Sequence, residues 1–342
     1  MKESELTEFV SQNIEDGKWQ LVFQFLAGLM NDKENLPSEI ITDLLPVETE
    51  KETVDDYELL SESETDREVT MWPTAGKRYL AMTLFKCFNE SDRMQSIVQR
   101  KLQQINFNGL NFISSDLTAV DCSSLVNVIM DVQQISHLEL TDNNLGPLGC
   151  FEICKLLKCR KSQLSWLNLE ENQLKDEGAK YLADAITSNN CQLLTLHLSN
   201  NNIRDTGAQH LADAITNSNC QLRTLNLRDN NITDTGAQHL ANAITNNNCQ
   251  LRTLLENTGA QHLADAITNN NCQLRELHLF NNNITDTGAQ HLAYAITNSN
   301  CQLRELHLRG NGNITEAVSN EVEKMMACKN KYLTAAGNFA KS

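Results

Sequence analysis

From residue 105 onward the chain repeats one short arrangement of apolar and polar positions: leucine, any residue, leucine, two residues, asparagine. It reads LELTDN at 138–143, LNLEEN at 167–172, LHLSNN at 196–201, LNLRDN at 225–230, LHLFNN at 277–282 and LHLRGN at 306–311. Leucines two apart share one side of an extended chain, so each copy predicts a short strand with one apolar face. Asn143, Asn172, Asn201, Asn230, Asn282 and Asn311 follow these strands 29 residues apart, except for one interval of 52 that holds a full unit and a shortened one of 23. A degenerate copy, LNFISS at 110–115, carries Ser115 in place of asparagine and brings the array to eight units.

After each strand comes a segment such as DTGAQHLADAITNSN, where Leu211, Ala214 and Ile215 fall at i, i+3 and i+4. That spacing predicts a helix with one apolar stripe, stopped by the asparagines beyond Thr216. A strand and a helix within 29 residues cannot bury their own apolar faces, and stacking the units solves this. The strands then pair in parallel along a concave face and the helices line a convex one, an α/β solenoid of horseshoe form. The asparagine amide is expected to satisfy backbone groups buried in the turns.

In the shortened copy, CQLRTLLENTGAQHL at 249–263, the NLRDNNITD of the preceding unit has shrunk to LEN. The counterparts of Leu227, Asn230 and Ile232 are missing. The expectation is a bulged or absent strand, Leu255 sliding into one vacancy and an intact helix segment, a deletion rather than a hinge.

These units resemble leucine-rich repeats of the ribonuclease-inhibitor-like type, over roughly two thirds of the chain. Residues 1–104 do not repeat; WQLVFQFLAGLM, KRYLAMTLFKCF and RMQSIVQRKLQQI predict a small helical domain ahead of a repeat domain at 105–342. KWQLVFQFLAGLM is similar to the helical region that follows the NACHT and winged-helix modules of NLR proteins, intracellular innate immune sensors, where it leads into this type of repeat. That resemblance implies the C-terminal portion of the family architecture. The family's nucleotide switch does not carry over: TAGKRYL has Gly76 and Lys77 but no hydroxyl residue next, and Met71 stands where the first glycine of a P-loop belongs. A nucleotide-binding module is expected only in a longer parent protein, and no cofactor is expected here.

Charge narrows the partners. With 28 Lys and Arg against 44 Asp and Glu, the net charge is -16, which disfavours nucleic acid and anionic membranes and favours basic partners. Ten acidic residues fall in PVETEKETVDDYELLSESETDREV, which predicts a flexible insertion over 46–70. No run approaches the roughly 20 apolar residues of a membrane span. The 11 cysteines include a repeat-determined set, Cys191, Cys220, Cys249, Cys272 and Cys301, read as small buried thiols of a cytoplasmic chain. Catalytic motifs are absent, so no enzyme is expected.

Binding is the remaining lead. Aligning the copies that begin at Cys191, Cys220 and Cys272 leaves eight variable columns, five of them in or beside the strand. They include Thr195/Thr224/Glu276, His197/Asn226/His278 and Ser199/Arg228/Phe280, which alternation turns to the concave face. Drift at exposed positions produces the same pattern. Trp166 and Phe280 are the candidate anchors for a protein or peptide ligand, with Glu139, Glu170, Glu171, Glu276 and Glu305 steering a basic partner. His197, Arg228, His278, His307 and Arg309 complete the face. His278 and His307, one strand apart, are near enough to share a metal, but with no further ligand evident they are expected to be ordinary surface histidines, and no metal site is assigned. The functional expectation is the ligand-sensing part of an NLR-like receptor or regulator, and the alternative is a ribonuclease-inhibitor-like protein that captures basic enzymes.

Overall fold

The computed structural model describes residues 45–53, 68–89, 92–255, 259–279 and 284–339. The chain divides into two compact units, Met1–Asn168 and Leu169–Ser342, a division that falls inside the repeat array. In the first, β1 (Glu50–Thr53) runs antiparallel to β2 (Glu68–Trp72), which pairs in parallel with β3 (Gly109–Asn111), followed by β4 (His137–Glu139) and β5 (Trp166–Asn168). The helices between them are α1 (Arg78–Asn89), α2 (Asp92–Leu102), α3 (Ala119–Ile129) and α4 (Gly146–Lys158).

Two of these strands lie in or across the end of the stretch expected to be a flexible insertion. Glu68–Trp72 alternates around Val69 and Met71, both buried, and β-branched and aromatic residues suit a half-buried pleated surface. Its close approach to β3 requires glycine at 109, because an added Cβ there would overlap Met71 Sδ. Trp72 anchors this end: its Nε1 donates to the Pro46 carbonyl at 2.7 Å, and its ring lies 5.7 Å from Phe85 and 5.6 Å from Phe107. The TAGK stretch forms a short 3-10 turn, Ala75–Lys77, leading into α1. The resemblance-bearing KWQLVFQFLAGLM lies outside the described residues.

The second unit repeats helix and strand: α5 (Lys175–Ile186), β6 (Thr195–His197), α6 (Asp205–Ile215), β7 (Thr224–Asn226), α7 (Asp234–Ile244), β8 (Thr253–Leu255), α8 (Ala260–Ile267), β9 (Glu276–His278), α9 (Asp286–Ile296) and β10 (Glu305–His307). Its strands pair in parallel with leucine opposite leucine, Leu196 with Leu225, Leu225 with Leu254, Leu254 with Leu277 and Leu277 with Leu306. Those leucines pack against the buried Leu, Ala and Ile stripe of each helix. This is an α/β leucine-rich-repeat solenoid. The last helix, α10 (Glu316–Phe339), closes the array with Val318, Val322 and Met326 turned inward and Lys329 Nζ donating to the carbonyls of Ile296 and Cys301.

Two side-chain ladders join successive repeats. Asn230 Oδ1 accepts from the N–H groups of Asn201 and Ile203 in the preceding repeat, both at 3.0 Å, while its Nδ2 donates to the carbonyls of Leu198 and Leu227. Asn143, Asn201 and Asn311 bond in the same manner. On the convex side, Asp205 at the start of α6 accepts from the N–H groups of Thr233 at 2.7 Å and Gly236 at 3.0 Å in the next unit, capping α7. Asp176 serves Arg204 and Gly207, and Asp286 serves Thr315, in the same way. Burial works to raise the Asp205 pKa, but the bonds from Thr233 and Gly236 and the nearby His239 outweigh it and hold the carboxyl below its ordinary value.

The shortened unit departs from expectation in its strand, in the place of Leu255 and in its helix. Its strand β8 is present and in register with both neighbours, and Leu255 remains opposite Asn226 and His278 on the concave side, 3% exposed. The helix, by contrast, is shortened: α8 has 8 residues where α6 and α7 have 11, and it starts from Gly259 at φ 75. An added Cβ at Gly259 would overlap the Ala237 Cβ and face left-handed strain besides, so only glycine fits. The loss falls on the helix start, whereas the strand is held in register by a ladder on both sides.

Asn230→Leu removes an acceptor for two buried donors and is expected to lower the unfolding free energy by about 3 kcal/mol or more, read from urea titration. Inserting the six missing residues, taken from the preceding unit, is expected to raise the melting temperature on the order of 5 °C in calorimetry, since it restores core leucine, isoleucine and asparagine.

Candidate concave binding face

Alternation within each strand turns two residues of the triplet to the side opposite the helices, where the side chains of neighbouring strands crowd them. The consequence is burial where exposure was expected. Trp166 is 8% exposed, its ring 5.7 Å from that of His137 on the neighbouring strand, so it fills the face rather than projecting from it. Glu139 is buried as well, its carboxylate accepting from the Thr141 N–H and hydroxyl at 2.9 and 2.6 Å and from Asn168 Nδ2 at 3.1 Å. This column is largely committed to the strand ends: Asn111 and Asn226 likewise accept from backbone N–H groups two residues on. His197 is buried beside Asn226, whose Nδ2 lies 3.4 Å from its Nδ1. Phe280 lies outside the described residues.

The second unit's last two strands bring four titratable residues together. Glu276, 3% exposed, accepts from the Thr253 hydroxyl at 3.2 Å and lies 3.8 Å from His278 Nε2. His278 is 1% exposed and stacks on His307, with ring centroids 4.4 Å apart and planes 14° from parallel. His307 Nε2 approaches Glu305 Oε2 at 3.2 Å, and that pair is half-buried. His278 is therefore an interior histidine, not the surface residue expected, because its strand is covered on both sides. Burial holds its pKa below the ordinary imidazole value; Glu276 opposes, His307 adds to the lowering, and Glu305 opposes. Among the described residues, no group of three or more His, Cys, Asp and Glu is arranged to hold a metal.

The accessible part of the face is the outer column, apart from the buried Ser199, and the turns beside it. Glu170 and Arg228 are half-exposed, and Glu171 and Arg309 are exposed. Arg228 Nε pairs with Asp229 at 3.0 Å. Absent from the expected set is the column Leu194, Arg223, Arg252, Arg275 and Arg304, immediately before each strand. Its signal was present in CQLR, which recurs in four successive units. The cysteines of the repeat are buried and free, and burial raises the Cys249 and Cys272 thiols to about 11, so they stay protonated at neutral pH. Among the described residues, no helix is long and apolar enough to cross a membrane.

The leucine-rich-repeat family model matches residues 135–154, 164–183, 189–212, 218–241 and 270–293. No curated protein matches the chain. Among solved structures, an internalin from Listeria monocytogenes is similar at 17% identity and a TM-score of 0.35, over 66% of this chain and 66% of that one.

The lowered His278 pKa has a stability consequence with a definite sign. Unfolded, the ring protonates near its ordinary value of about 6.5; folded, it does so lower, so the unfolded chain binds more protons between the two. This contribution to stability is present above pH about 6.5 and is lost as pH falls from there toward the folded value. Urea midpoints at pH 7.5 and 5.5 are expected to show that fall, and His278→Gln is expected to reduce it.

Proposed function

We propose that the chain acts without catalysis, holding a protein or peptide ligand along the concave face of its second unit. The observation that carries this is the outer strand column, which changes from Glu170 through Ser199 and Arg228 to Arg309 over a leucine and asparagine frame that is constant in the full-length repeats. A frame held constant beneath differing side chains suits recognition, and the buried inner columns give those side chains a rigid base. Glu170, Glu171 and Glu305, with a net charge of -16, favour a ligand with basic residues.

The finer reading is the sensing or regulatory portion of an NLR-like protein. It is supported by the sequence resemblance and by the helices α1 and α2 ahead of the strand β3. Capture of basic enzymes in the manner of a ribonuclease inhibitor draws on the same acidity. A panel of basic and neutral proteins, immobilised and titrated with the purified chain, tests the face. The double variant Glu170→Lys and Glu305→Lys is expected to weaken binding of any basic partner at least tenfold; unchanged binding refutes this assignment of the face. Selective capture of small basic enzymes would favour the inhibitor reading.

A further inference from the structure

The parallel strands of the second unit end at β10, whose backbone is paired on one side only. Facing β9, the Glu305 N–H donates to the Arg275 carbonyl at 3.0 Å, and the His307 carbonyl accepts from the Leu279 N–H at 2.9 Å. Backbone groups of successive strand residues point to opposite sides, so those of Leu306 and the Leu308 N–H point away from β9. Among the described residues no strand lies there. The closing helix covers this end in part: Asn330 Nδ2 of α10 donates to the Arg304 carbonyl at 3.0 Å, and Lys329 reaches carbonyls ahead of the strand. It stops short of the leucines. Leu277 and Leu279 in the preceding repeat are 0% exposed, whereas Leu306 and Leu308, their counterparts, are only half-buried. An open edge beside incompletely covered core leucines is a template for another strand.

We propose that this edge pairs with the same edge of a second copy of the chain, β10 running antiparallel to β10 about a two-fold axis. A two-fold interface sets each residue against the one an equal distance across the axis. The strand is short, and Gly310 at φ 82 ends the extended run, so few registers are open. Two of them bring the unpaired Leu306 groups against groups of the other copy. With the axis at Leu306, that leucine meets its own counterpart and Glu305 meets His307 at both ends of the pair. With the axis at His307, the histidines meet each other, Leu306 meets Leu308, and Glu305 meets Arg309. In either register the leucines join on the core side, and each Glu305 carboxylate faces a nitrogen donor on the concave side. Shifting the axis to Glu305 sets carboxylate against carboxylate and calls on the Arg304 N–H and carbonyl, which Arg275 and Asn330 already engage. The edge is therefore complementary to itself, a match that favours a second copy over a foreign strand. Self-pairing does not depend on ligand capture along the face, so either reading can fail while the other stands.

The test is sedimentation equilibrium of the full chain over a wide range of concentration, with hydrogen exchange at the Leu306 and Leu308 amides followed by mass spectrometry across the same series. Salt at about 0.15 M screens the repulsion between two chains of net charge -16. A monomer–dimer equilibrium is expected, with both amides gaining protection as the dimer forms. Glu305→Lys, which sets a cation against His307 or Arg309 of the other copy, is expected to weaken self-association at least tenfold, and Lys180→Gln, an exposed charge loss on α5, to leave it unchanged. Leu308→Lys, a charge placed in the joint itself, is expected to weaken it similarly and keeps the test decisive if the first variant does not fold. Wild-type self-association in either folded variant overturns the proposal, as does a dimer in which these two amides exchange as fast as in the monomer. A chain that stays monomeric at millimolar concentration also overturns it: edge amides protected throughout assign the edge to a segment of the same chain, and amides that exchange freely leave it to a strand of another protein.

Discussion

A stack of open units depends on burying its turns without leaving their backbone groups unpaired. Asparagine meets that constraint because one short side chain offers an acceptor and two donors at once. Asn201 shows the arrangement: Oδ1 takes the N–H groups of Asn172 and Leu174, and Nδ2 gives to the carbonyls of Leu169 and Ser199. A leucine of similar size would fill the space and strand four polar groups. The leucine core supplies the attraction between units, and the asparagine makes that burial permissible.

Periodicity revealed the array because leucine pairs and asparagines recur at fixed spacing, and both are dictated by the interior. Strand β2 was harder to see: Glu68–Trp72 lacks the leucine pair and adjoins a run of acidic residues, so charge masked the alternation of Val69 and Met71. The concave face was legible by direction but not by exposure. Alternation places Trp166 and His278 on that side, whereas their burial depends on the neighbouring strands, which no single repeat encodes.

The shortened unit separates two kinds of information in the repeat. Parallel pairing holds β8 in register from both sides, so the strand survives the loss of six residues, whereas the helix start recedes to Gly259. Counting back from that glycine, Asn257 stands where Asp234 stands in the unit before. The deletion therefore removes the carboxylate type of one ladder together with the turn asparagine of the other.

The two ladders run in opposite senses. Each asparagine secures the turn of the unit before it, and each aspartate caps the helix of the unit after it, as Asn230 and Asp205 do on either side of one boundary. A full unit is thus braced from both directions, so its opening exposes its neighbours' unpaired groups and spreads. Where one unit lacks both residues, that transmission weakens, and the array acquires a seam at which amide hydrogens on one side can exchange with solvent independently of those on the other.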